Sequence, residues 1–389
     1  MYFVNTIPYL LFFMMLTTFH LLTVNKQGEN TINISANLPV YFCFFLFSIV
    51  FIGCRSFIAA DWLNYYPFFE RSPVIPDGVQ VISNFLKKSE FELGHAIATI
   101  ICKTFVDNYL FFQFVYFLVD LIILHYFFKE YCGKYYFLGW ALFYVFNGFN
   151  LEIIIIRNAK ALALFLLSIK YMNNRKFGKY LLLNILGAFF HRSAVLYIPL
   201  YFLPKIKRNK VCELILFVIG LGIYLAKVEY LVPLINFVKV YLPARFERKV
   251  SFYMSSAQYT ARYGISFGFL ERIMSFGLLY IFSDRIIEED ERNKVFWYLF
   301  LIFIYICLYF SEVFIIIERV TGLFICGYWI MYVKLYGQLK KDGKWVYLIM
   351  LILYGSLRIM LAMNYKWAFY ENFLFNDIDI ANRMKNFSY

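Results

Sequence analysis

A chain of 389 residues that is 62% hydrophobic, 23% aromatic and only 16% charged does not have the composition of a soluble domain. Its net charge of +13 does not point to nucleic acid in this setting, because the cytoplasmic loops of membrane proteins collect Lys and Arg. Repeated apolar runs of about 17–22 residues, continuous rather than alternating, argue against a β-barrel and predict an all-α polytopic membrane protein. The seven cysteines form no CxxC pair and lie mostly within apolar runs, so neither a disulfide framework nor a zinc site is expected.

The first run, 2–24, has no basic residue ahead of it and no small-residue cleavage motif, so it reads as a retained span rather than a signal peptide. Further spans are expected at 38–54, 108–128, 135–150, 152–170, 180–203, 211–228, 265–283, 295–311, 313–333 and 345–363, or about 10–12 transmembrane helices. The boundary near Asn147 and Gly148 is poorly marked. Basic clusters such as Lys170/Arg175/Lys176/Lys179, Lys205/Lys207/Arg208/Lys210 and Lys340/Lys341/Lys344 belong in the cytoplasm. Alternation then puts 55–107 and 229–264 outside, as two elaborations of one membrane domain. Within them, 91–105 reads as an interfacial or partly inserted helix, and 229–264 as an amphipathic run followed by a basic, aromatic loop.

One run resists simple alternation. Segment 180–203 has basic clusters at both ends and His191-Arg192-Ser193 at its middle. A hairpin that enters from the cytoplasm, breaks near His191 and returns satisfies both clusters. A single tilted span with one cluster outside is the alternative. Irregular backbone at that depth requires burial in protein or a water-filled cavity.

Depth counting brings several cations to one level. Arg157 stands 13 residues before Lys170, His191 12 after Lys179, Arg272 13 before Arg285, Arg319 15 before Lys334 and Arg358 14 after Lys344. At 1.5 Å per residue each lies about 18–22 Å above the inner surface. Charge at that depth is costly, about 2.5–3.5 kcal/mol per group, and persists where it meets a partner, a cavity or a polar substrate. Internal salt bridges and snorkelling side chains are the plain explanation. A surplus of cations favours a phosphate or diphosphate ligand, which the planar guanidinium fork binds bidentately. His191 beside Arg192 can take a proton from a hydroxyl or hydrogen-bond a substrate. Asp61 and Glu92, in the outer segment, are the other candidate bases. Trp62, Tyr65, Tyr66, Phe68 and Phe69 form an aromatic cluster of the kind found at membrane interfaces, and such rings also stack on sugars.

Four stretches carry a resemblance: Arg55-SFIAA-Asp61-WLN-Tyr65-Tyr66, Glu92-LGH, Ile156-Arg157-NAKALAL and Phe190-His191-RSAVL. In this order, over about half the chain, they resemble the EpsG/Wzy-type polysaccharide polymerases of bacterial envelopes. The later spans match only in hydropathy and buried arginines. The resemblance implies a multi-pass glycosyltransferase of the inner membrane with a GT-C-like helical fold. It would join undecaprenyl-diphosphate-linked oligosaccharide repeat units at the extracytoplasmic face in capsule, exopolysaccharide or O-antigen synthesis, with neither metal nor other cofactor. Partners implied are membrane lipids, a flippase and a chain-length regulator. By that likeness Arg55, Asp61, Glu92, Arg157 and His191 would fall in the site. Taken with the layer of buried charge, His191, Asp61 and Glu92 are the expected catalytic groups, and Arg157, Arg192, Arg272, Arg319 and Arg55 the expected holders of the diphosphate. One departure is Ala59-Ala60, where relatives often have Gly, which leaves the conformation of the Arg-to-Asp loop open. A flippase for lipid-linked oligosaccharide is the alternative function. It too needs buried cations, but it predicts two pseudo-symmetric halves that the sequence does not show.

Overall fold

Apolar side chains cover the outside of this protein as well as its inside. Leu11, Ile122, Leu182, Val218, Ile281 and Leu353, on six different helices, are each more than half exposed. Lipid, not water, is the solvent that suits such a surface. The computed structural model describes residues 2–24, 37–241, 244–255, 264–375 and 380. Among these there is no strand, only one isolated bridge between Arg55 and Asn372, so the chain is an all-α polytopic membrane protein.

It divides into two compact units, 1–201 with 339–389, and 202–338. In the first, α1 (Phe3–Val24) packs against α7 (Tyr136–Phe143) and α17 (Lys341–Met363). Thr6, Thr17 and Thr23 in α1 return their hydroxyls to carbonyls one turn back, which settles polar groups that lipid cannot. All eight residues of α7 are buried, as a helix apolar on every side must be. Around this core run α2 (Leu38–Ser48, continued by a wide turn to Gly53), α6 (Tyr109–Cys132), α8 (Ile156–Asn173) and α9 (Phe177–Phe190). Asn108 starts α6 by accepting the N–H groups of Leu110 and Phe111 at 2.8 and 3.2 Å. Segment 55–107 supplies α3 (Trp62–Arg71), α4 (Val79–Lys88) and α5 (Leu93–Phe105).

The expected span 135–150 is broken. Phe146 (φ −105°, ψ 70°) and Asn147 (φ 87°) leave helical geometry, and α8 resumes at Ile156 after a wide turn. The protein itself satisfies the opened backbone: Arg358 Nε donates to the Val145 carbonyl at 3.0 Å, and the guanidinium lies 4.8 Å from the Phe146 ring. Arg358 therefore serves the kink.

The break at His191 is also real. α9 ends at Phe190, His191 is extended (φ −154°, ψ 126°), and Arg192–Lys205 follows in 3-10 conformation. The arms then face each other in antiparallel order. A Cβ on Gly187 would stand 3.2 Å from that of Ala194, the Tyr180 hydroxyl donates to the Tyr197 carbonyl, and Phe177 packs edge-on against Tyr201 at 4.9 Å. The two conformations make the arms equal in height. Fourteen α-helical residues rise about 21 Å, and ten 3-10 residues from Arg192 to Tyr201 rise about 20 Å. The chain thus returns to the side it left, which is the hairpin and not the single span.

The second unit holds α10 (Lys210–Ala226), α11 (Leu231–Lys239), α12 (Ala244–Ser255), α13 (Phe267–Glu289), α14 (Asn293–Tyr309), α15 (Phe314–Thr321) and α16 (Cys326–Gln338). α14 is buried almost throughout and packs on α10 and α16. Span 313–333 is divided by a 3-10 turn at Gly322–Phe324. Such breaks, and the charges within α8 and α13, explain why three described helical segments are individually long and apolar enough to cross a bilayer: Phe3–Val24, Tyr109–Gly148 and Lys341–Met363.

Candidate functional site

Five segments of the first unit meet at the tip of the hairpin. Phe57, Trp62, Tyr65 and Phe69 from segment 55–107, Tyr109, Phe112 and Tyr116 from α6, and Ile156 at the start of α8 form one buried cluster. Phe91 and the hairpin residue Phe190 pack against it. Arg157 and His191 each follow a residue of this group, so the aromatic platform brings both near its rim.

The motif around Glu92 is explained residue by residue. Glu92 takes a hydrogen-bonded ion pair from Arg157 Nη1, with side-chain exposures of 14% and 20%. Gly94 meets the hairpin backbone: a Cβ there would lie 2.8 Å from the Phe189 carbonyl oxygen, closer than packing allows. His95, fully buried, pairs its Nδ1 with the Tyr116 hydroxyl at 3.0 Å. The Arg157 guanidinium also lies over the Phe91 ring at 4.5 Å and the Tyr65 ring at 5.7 Å, and Nε points to the Tyr65 hydroxyl at 3.5 Å. Stacking, pairing and hydrogen bonding hold the fork in one place.

His191 is half-buried at the hairpin tip. Its Nδ1 accepts the Ser193 backbone N–H at 3.3 Å and lies 2.6 Å from the Ser193 hydroxyl. With Nδ1 accepting, the hydrogen-bond pattern assigns the proton of the neutral ring to Nε2. Ala194 is fully buried against Gly187, which itself approaches Ala161 of α8, so small residues let three segments close on one another.

Asp61 begins α3, within charge range of Tyr65. Ala59, just before it, sits at φ 64°, so the loop takes a left-handed turn even with Ala, with its N–H on the Trp367 carbonyl at 2.8 Å. Arg55 is 1% exposed and donates to the Ile52 carbonyl at 2.8 Å. Arg192 is exposed. Arg272 and Arg319 belong to the second unit. There Arg272 lies 6.0 Å from the Phe303 ring, Glu271 accepts the Ser275 hydroxyl at 2.7 Å, and Arg319 is exposed. The Glu318 side chain lies outside the described residues.

Counting arginines missed two charged groups deeper in the unit. Lys160 and Asp120, both buried, pair at 2.6 Å, and Lys160 also donates to the Tyr116 carbonyl. Arg55 and the buried Glu152 lie within charge range of this pair. The four formal charges cancel. The signal was present in the sequence: Asp120 and Lys160 sit mid-span, where an ionisable residue needs an account. The surplus of positive charge inferred from depth counting is smaller in this unit than it looked, since Arg157 has a carboxylate partner in Glu92. Among the described residues no group of three or more His, Cys, Asp or Glu could hold a metal ion.

What remains at the rim is a fixed guanidinium with its carboxylate, an imidazole N–H and a wall of aromatic rings. That set can hold an anion, orient a hydroxyl and stack a sugar. Comparison with curated proteins and with solved structures finds no match. A family model does match, over residues 39–375, and that range holds every rim residue described above. The chain belongs to the EpsG family, a Wzy-like polysaccharide polymerase family.

Proposed function

We propose that this protein is a membrane glycosyltransferase that joins oligosaccharide repeat units carried on undecaprenyl diphosphate, at the outer face of a bacterial cytoplasmic membrane. The observation that carries the reading is the Arg157–Glu92 pair, held over Tyr65 and Phe91 beside the His191 hairpin tip. Arg157 spends Nη1 on Glu92 and Nε on Tyr65. Its Nη2 end is the part we assign to the donor's diphosphate, where charge develops on the leaving group.

The acceptor hydroxyl oxygen attacks the anomeric carbon, and the bond from that carbon to the diphosphate oxygen breaks. The lipid diphosphate leaves with the electron pair. The hydroxyl proton goes to a carboxylate, Glu92 or Asp61. His191 supports this as a donor through Nε2–H, because its Nδ1 is occupied by Ser193. The test is reconstitution: purified protein in liposomes with one synthetic lipid-linked repeat unit. A ladder of products supports the proposal. Unchanged substrate that crosses the bilayer marks a flippase and overturns it.

A further inference from the structure

α10 and α11 meet at a right angle. α10 has 17 residues, a rise of about 25 Å against about 30 Å of hydrocarbon. Its exposed side chains are apolar, among them Leu214, Ile215, Val218 and Ile219. Lys227 ends it in the left-handed region (φ 53°), and α11 leaves at 88°.

The corner is held firmly. Glu312, 5% exposed in the turn that follows α14, accepts the backbone N–H groups of Tyr230, Leu231 and Val232 at 3.0, 2.7 and 2.9 Å. Those donors open α11 and have no partner within the helix. A carboxylate there also suits the positive end of the helix dipole. The Tyr230 hydroxyl adds a bond to the Tyr309 carbonyl at 2.5 Å.

α11 is apolar on two sides. Leu231, Val232 and Ile235 pack in a cluster with Val313 and Phe310. Leu234, Phe237 and Val238 point away and are exposed. We propose that α11 lies in the plane of the membrane at the outer boundary between acyl chains and headgroups, with lipid covering Leu234, Phe237 and Val238. The depth follows from α10. Arg208 and Lys210, paired with Asp284, mark its inner end at the cytoplasmic surface. A rise of about 25 Å from there stops about 5 Å short of the outer edge of the hydrocarbon. In-plane helices settle about 5–10 Å into that boundary. Exposed Tyr241 follows α11 and adds an amphipathic ring suited to that boundary.

Spin labels test this in the full chain. Leu234→Cys, Phe237→Cys and Val238→Cys are made with Cys43, Cys102 and Cys212 changed to Ser, and reconstituted in phosphatidylethanolamine–phosphatidylglycerol vesicles. Collision with oxygen, set against collision with a water-soluble nickel chelate, reads depth. All three labels should favour oxygen and report about 5–10 Å below the phosphates, with Val218→Cys on α10 deeper. Nickel-dominated collisions place α11 in water and overturn the proposal. A depth near the midplane makes α10 and α11 a broken span and overturns it too. Low collision with both reagents means that protein, for example a second copy, covers the face, and is equally fatal.

Discussion

Glu92 at the start of α5 and Arg157 at the start of α8 form an ion pair that fastens segment 55–107 to α8. The pair is mostly, though not wholly, withdrawn from solvent. Removing one partner strands the other, so Glu92→Ala and Arg157→Ala should each destabilise, and the double variant should cost less than their sum. A double-mutant cycle read by thermal unfolding in detergent should give a coupling of about 1–3 kcal/mol. Additive losses would mean that the two side chains do not act as a pair.

Gly94 and Gly178 should respond in opposite directions to the same substitution. Gly94→Ala drives a methyl into the Phe189 carbonyl and should cost about 1–3 kcal/mol, with loosening of the hairpin tip. Gly178, in α9, has nothing within reach of an added Cβ, and Gly178→Ala should stabilise by up to about 1 kcal/mol. Melting temperatures of the two variants check both signs.

His191→Gln separates a donor from a base. Glutamine keeps an N–H near the Nε2 position but cannot take up a proton. If His191 donates, His191→Gln retains polymerisation within about tenfold of the native rate, while His191→Ala falls about a hundredfold or more. Equal loss in both variants would make His191 the base.

The ion pairs of Asp284 with Arg208 and Lys210 predict an acid-sensitive element in the second unit. The Lys210 hydrogen bond, opposed by partial burial and assisted by Arg208, holds its carboxyl below the usual range. A depressed folded value means the contribution is present above the unfolded pKa, about 3.9, and is lost as pH falls below it. The melting temperature of the native protein should therefore exceed that of Asp284→Asn at pH 7, and the gap should close below about pH 4.

Much of this was legible from the chain, for reasons that differ from part to part. Hydropathy located the helices because lipid demands continuous apolar runs. The clash of basic clusters around 180–203 located the break at His191. Glu92 and Arg157 were both singled out, yet as base and anion holder, since no spacing rule brings together residues 65 positions apart. Asp120 and Lys160 are legible only as mid-span charges, because their pairing joins residues 40 positions apart on different helices. The Ala59 turn could not be read either: a left-handed Ala, at about 1–2 kcal/mol, persists only because surrounding structure such as the Trp367 hydrogen bond imposes it. The kink at Phe146 and its Arg358 support are tertiary in the same sense.

In the proposed reaction Arg157 handles the diphosphate of the donor. The most direct test is the rate of chain extension by Arg157→Ala in liposomes with a lipid-linked repeat unit, in protein shown to be folded by its melting transition. The expected loss is about a hundredfold or more, with partial recovery in Arg157→Lys. Full-length polymer made by Arg157→Ala at the native rate would contradict it.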